Sequence, residues 1–192
     1  TIGIWWGKLY INGATATLLC ALAMAATAGG EFVREGARKP YTVREVLYSN
    51  SILPSEVARL RQSGSVTDDP FPLQNAADYP TQQLQLGAKV FRFQCSICHT
   101  MQGVNGLVEL TGHWSDDQRR LMIAQLQHTK PFMPPFSGSA VELESLVQLI
   151  GWETAGRPEG AKEASLDPEI LARIQTWLDE AGTAQGSRHP QR

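Results

Sequence analysis

Cys95-Ser96-Ile97-Cys98-His99 decides the reading of this chain. The spacing Cys-x-x-Cys-His is the pattern of covalent c-type haem attachment. Two thiols so spaced can bond the two vinyl groups of one haem. The adjacent imidazole then falls beneath the iron as its proximal ligand. A structural zinc site would want about four ligands, usually as two pairs. The remaining cysteine is Cys20, inside an apolar stretch, so a second pair is missing. A thioredoxin-like redox pair should follow a strand within a βαβ pattern, and no such pattern is visible. The expectation is one covalent haem c, bonded to Cys95 and Cys98, with His99 on the iron.

Composition agrees with this. A length of 192 residues suggests one domain plus appendages. The formal net charge is −2, unevenly spread. Residues 1–64 carry seven Lys/Arg against four Asp/Glu, a balance of +3. Residues 81–181 carry eight against twelve, a balance of −4. The acidic part holds the haem motif, which argues against nucleic-acid binding, where the folded domain should present a basic patch.

The basic part adjoins a membrane-like segment. No charged residue occurs from Leu9 to Gly30, a run of 22 residues. As a helix it is about 33 Å long, against a hydrocarbon core of about 30 Å. Trp5, Trp6 and Tyr10 lie at its entrance, as an interfacial belt would. Its many Ala, Gly and Thr residues suit close packing against other helices. A cleaved signal peptide is the rival reading, with Ala26-Thr27-Ala28 as a passable cleavage site. A retained transmembrane helix over residues 1–30 is the expectation. Cys20 is read as a small buried apolar residue. Thr1 opens the chain, as in a processed chain or a fragment of a longer subunit. Haem c is attached on the extracytoplasmic side in bacteria. A single span therefore puts the N-terminus in the cytoplasm and the haem domain on the periplasmic side. Arg34, Arg38, Lys39 and Arg44 then lie outside, against the positive-inside bias. They call for a partner subunit, or for lipid or quinone head groups.

Residues 31–80 form a juxtamembrane segment and tether. The run Glu31-Phe-Val-Arg34-Glu35-Gly36-Ala-Arg38-Lys39-Pro40-Tyr41 also reads as a helix with solvated charge pairs. Residues 29–50 resemble a stretch of cytochrome bd-like quinol-oxidising subunits. That resemblance implies membership of a large membrane oxidoreductase. Pro54, Gly64, Pro70, Pro72 and Pro80 then interrupt the chain too often for long helices. One short helix over Ser55–Gln62, capped by Ser55, is allowed. The rest reads as an irregular tether of about 30 residues crossing the protein surface.

From Thr81 an apolar face, Leu84, Leu86, Val90, Phe91 and Phe93, leads into Cys95. A glycine-containing loop follows from Thr100 to His113. Ser115 caps the next helix, with Asp116 and Asp117 in its first turn. Lys130-Pro131-Phe132-Met133-Pro134-Pro135-Phe136 then fixes a methionine in a non-helical loop. Ser139 caps a further helix. This order of elements resembles a small class I cytochrome c, an all-α domain. The resemblance implies that Met133 is the second axial ligand and that the helix after Ser139 crosses the first one. Met101, Met122, His113 and His128 are the other candidates. Met101 is too near His99 to reach the opposite face, Met122 reads as core, and the two histidines border loops. The chain departs from the family by lacking a proline just after the motif. Another loop carbonyl must therefore orient His99. The 34 positions from His99 to Met133 are also few for the family. Asp167-Pro168-Glu169 starts a helix beyond the usual core, ended by Gly182, which packs back on the domain or docks on a partner. The haem domain is expected over residues 81–182 and able to stand alone from about Pro80. Residues 183–192 are expected to be a flexible tail.

The resulting expectation is a membrane-anchored monohaem cytochrome c. It would relay single electrons within or to a larger membrane redox complex, respiratory or photosynthetic, without turnover chemistry of its own. An open-site haem sensor or peroxidase-like enzyme is one alternative. A structural assembly subunit is another.

Overall fold

The structure, a computed structural model, describes residues 13–37, 46–69, 71–130 and 132–182. Lys8, the expected aromatic belt, Arg38, Lys39, Arg44, Pro131 and the expected tail lie outside the described residues. The chain divides into two compact units, Thr1–Lys39 and Pro40–Arg192. The described residues are helical and contain no strand. An isolated parallel bridge joins Thr100 to Gly106.

In the first unit, Gly13–Ala37 forms helix α1. Ala, the best helix former, is its commonest residue. Within it, Gly13–Arg34 is long and apolar enough to cross a membrane. Leu18, Leu19, Leu22 and Met24 are exposed, with nothing in this unit to cover them. Its threonine hydroxyls bond back to the helix, Thr17 Oγ1 to Gly13 O at 2.9 Å and Thr27 Oγ1 to Ala23 O at 2.9 Å. Such internal pairing is what an apolar surrounding requires. Glu31 and Arg34 form an ion pair one turn apart.

In the second unit, the haem motif sits at the end of α3 (Gln82–Val90), which follows a short α2 (Val57–Ser63). Thr81 Oγ1 caps α3 by accepting from Leu84 N at 3.2 Å. After α3 come α4 (Leu107–Thr111), α5 (Asp116–Ala124) and α6 (Leu126–Thr129). Next are α7 (Ala140–Thr154) and α8 (Pro168–Ala181). Ser115 with Gln118, and Ser139 with Glu142, form capping boxes on α5 and α7. Asp167 Oδ1 accepts from Glu169 N at 2.9 Å to start α8. Four of these starts are therefore local chemistry written in the sequence.

Helix α7 packs across α3, with α5 and α8 around them. Leu84, Ala88 and Val90 of α3 meet Leu143, Leu146, Leu149 and Ile150 of α7 in one buried cluster. Ile174 and Leu178 of α8 belong to it and are fully buried. The last helix thus packs back on the domain. Gly87 marks the closest approach of α3 to α7. A Cβ there would run into Ser145 O and come within 3.0 Å of Leu149 Cβ. Arg120 and Glu144 pair beneath the surface at 2.6 and 2.8 Å, joining α5 to α7.

Two stretches differ from expectation. The glycine-containing loop after the motif holds α4, because Leu107 packs on the core and buried Thr111 bonds to Leu107 O at 2.8 Å. The stretch read as a surface tether is irregular, but residues 46–69 are built into the domain. Tyr48, Ile52, Val57 and Leu60 form a second small core against Phe93. The short helix runs Val57–Ser63 after a 3-10 turn at Pro54–Glu56, with Glu56 Oε2 accepting from Leu53 N at 3.2 Å.

Candidate functional site

The last turn of α3 widens into a π-helical turn over Phe91–Cys95, closed by Ser96 N donating to Phe91 O at 2.9 Å. Such turns recur at functional sites. Arg92 within it is held by Asp69 and by the carbonyls of Phe71 and Pro72. Cys95 O then accepts from both Cys98 N, at 3.1 Å, and His99 N, at 2.9 Å. One tight turn therefore gathers Cys95, Cys98 and His99.

His99 Nδ1 lies 3.0 Å from Asn105 O. A carbonyl can only accept, so Nδ1 carries a proton, and in the neutral ring the lone pair is on Nε2. Asn105 supplies the orienting carbonyl that sequence reasoning could not name. Its backbone is left-handed, with φ of 56°. Its Nδ2 also donates to Cys98 O at 2.7 Å, so one residue clamps both ends of Cys98-His99. The loop closes on itself through Thr100 Oγ1 to Val104 O at 2.8 Å and Gly106 N to Gly103 O at 3.0 Å. An Asn beside glycines is a known left-handed signal, and it was the available clue.

Cys95 packs against the main core. Burial, with Cys98 adding to it, pushes its thiol up to about 12. Burial also raises Cys98. The donor set fits covalent haem c: two free thiols on one turn beside an imidazole whose Nε2 is left available. Cys95 and Cys98 would bond the haem and His99 would bind its iron.

Met133 lies on a separate loop, half-buried, its N donating to Lys130 O at 2.8 Å. That loop is tied to the attachment helix by Ser137 N, which donates to Gln94 Oε1 at 2.8 Å. Of the other ligand candidates, His113 and His128 are exposed, and His128 Nε2 bonds Ala181 O at 2.9 Å. Met101 packs on the core. Two surface clefts of about 510 and 600 Å³ are lined elsewhere, by Gln82 and Glu163 in one and Phe71 and Arg92 in the other. Neither is lined by Cys95, Cys98, His99 or Met133.

Residues 82–150 match the family described as cytochrome c oxidase, cbb3-type, subunit III. No curated protein and no solved structure matches the chain. The matched stretch runs from α3 to near the end of α7 and includes the four candidate site residues, Cys95, Cys98, His99 and Met133. It supports a class I c-type cytochrome domain, and such a domain carries covalently bound haem c. The match does not reach residues 29–50, so it lends nothing to the resemblance to cytochrome bd-like subunits.

Proposed function

We propose that this chain is a membrane-anchored monohaem c-type cytochrome. It relays single electrons within or to a larger membrane redox complex. When bound, haem c supplies a one-electron iron couple. The observation that carries the reading is the His99 Nδ1 bond to Asn105 O, made at the turn that holds both thiols. It fixes the tautomer and ring plane of the proximal imidazole, as an outer-shell partner should. Met133, on its proline-framed loop, would supply a thioether to the haem iron. A thioether opposite an imidazole favours the reduced state and raises the potential relative to two imidazoles. With both positions filled, the site passes electrons and binds no small substrate.

Helix α1 anchors the chain, with its N-terminus in the cytoplasm and the haem domain on the periplasmic side. Its exposed apolar face favours neighbouring subunits, and the basic residues around Arg34, Arg38 and Lys39 favour a partner or lipid and quinone head groups. Among the candidate parent complexes, a terminal oxidase, a quinol-oxidising complex and a photosynthetic reaction centre, the family description favours the oxidase. Optical spectroscopy of the reduced protein tests the reading. Sharp low-spin bands that ignore carbon monoxide support a relay. A carbon monoxide shift of the native protein would move it to an open-site sensor or peroxidase-like role. A fully ligated haem too far from any other cofactor of the purified complex for electron transfer would leave a structural subunit.

A further inference from the structure

Residues 46–69 precede the family match, yet they reach the loop that carries Met133. Within that loop Met133 N donates to Lys130 O at 2.8 Å and Ser137 Oγ to Pro135 O at 3.0 Å. Pro134 and Pro135 have no N–H to donate. Two later main-chain atoms, Phe136 O and Ser137 N, are satisfied from outside the loop. Arg61 Nε donates to Phe136 O at 2.9 Å, and Arg61 Nη1 donates to Leu178 O at 2.7 Å. The guanidinium is buried and joins α2, the methionine loop and the end of α8. Ser137 N is taken by Gln94, the residue before Cys95. Gln94 is itself aimed by Ser65, whose Oγ accepts from its Nε2 at 2.9 Å. Buried Glu142 fixes Ser65 in turn, accepting from Ser65 N at 2.8 Å and Val66 N at 2.9 Å. Gly138 has no room for a side chain, since a Cβ would strike Glu142 Oε2 and sit 3.0 Å from Gln94 Nε2.

We propose that residues 46–69 form the second half of the methionine site. Arg61, and Ser65 acting through Gln94, are positioning residues that hold the Met133 loop against the attachment helix. The proposal rests on Met133 being the axial ligand. On this reading a chain beginning near Pro80 does not keep the His/Met spectrum expected from the sequence.

The test uses the full-length holoprotein in detergent. The ferric methionine–iron charge-transfer band is followed against urea beside the helical circular dichroism signal. In Arg61→Gln the band should disappear at lower urea than in the wild type, with the helical midpoint little changed. The methionine-off population should rise by roughly tenfold or more, as loss of charge-assisted hydrogen bonds implies. Arg61→Lys should recover part of the shift, since it keeps the charge but not the fork. Ser65→Ala should shift the band in the same direction by less. A purely structural role would move band and helical signal together, and that result overturns the proposal. Met133→Ala is run in parallel. If it leaves the band intact, the ligand reading fails and the proposal with it. If it abolishes the band while the Arg61 and Ser65 variants leave its midpoint unmoved, the proposal alone fails. Should Arg61→Gln fail to accumulate, Arg61→Lys and Ser65→Ala decide.

Discussion

Gly87 of α3 and Ser145 of α7 approach so closely that only a hydrogen fits between the Gly87 Cα and the Ser145 carbonyl. In an open helix, glycine to alanine would gain about 1 kcal/mol of helix propensity. Here the obstacle is main chain, which cannot rotate away. Gly87→Ala should therefore destabilise the domain by about 1–3 kcal/mol, as overpacking does. Gly87→Val should be worse. Urea unfolding of both variants measures this, and a stabilised Gly87→Ala would mean the helices can spread at little cost.

Met133→Ala should lose the methionine–iron band and lower the midpoint potential while the haem stays on the polypeptide in acidified acetone. The thioether favours ferrous iron, so its loss moves the potential down. An unchanged spectrum would move the ligand to His113, His128 or Met122.

Asn105 tests the proximal hydrogen bond. Asn105→Gly keeps access to positive φ but drops the Nδ2 bond to Cys98 O, and should cost on the order of 1 kcal/mol. Asn105→Val should cost more, because a β-branched residue is strained at φ of 56°. Both should shift the midpoint potential, since they disturb the carbonyl that fixes His99. Redox titration beside thermal unfolding separates the two effects.

Acid should weaken the Asp69–Arg92 link. Burial alone would raise the Asp69 carboxyl, but hydrogen bonds from Arg92 and from Phe71 N, with the charges of Arg92 and Lys89, hold it below its ordinary value. A carboxyl lowered by folding contributes stability above its unfolded value of about 3.9. That contribution is lost as pH falls through the lower folded value. Asp69→Asn should be less stable than wild type at pH 7, and the gap should close as pH falls below about 4. A gap that stays constant over that range would show that the carboxylate charge is irrelevant there.

What the sequence disclosed was local. The attachment motif, the caps at Ser115, Ser139 and Asp167, and the apolar face of α3 are each set within a few residues. The hidden parts are joined over long separations. Arg61 and Leu178 are 117 positions apart, and Ser65 and Glu142 are 77. Neither pair leaves a trace in periodicity. Pro and Gly between residues 51 and 80 correctly denied long helices, but irregular backbone is not the same as free backbone. Tyr48, Ile52, Val57 and Leu60 supply enough apolar surface to fasten it. Asn105 was passed over because its contribution to His99 is a main-chain atom, which any residue type carries.

The Cys95 thiol bears on the order in which the molecule is made. Burial holds that thiol above its ordinary value, which leaves less thiolate at neutral pH. The finished fold is therefore a poor substrate for its own maturation. Attachment is favoured while α3 has not yet closed on α7 and the half-buried Cys95 is more open to water. Haem-free protein allowed to fold first should be alkylated at Cys98 well before Cys95, and should take up haem slowly unless it is opened again. Assembly of this cytochrome would then run in one direction, with the haem fixed to an open chain and the core closing behind it.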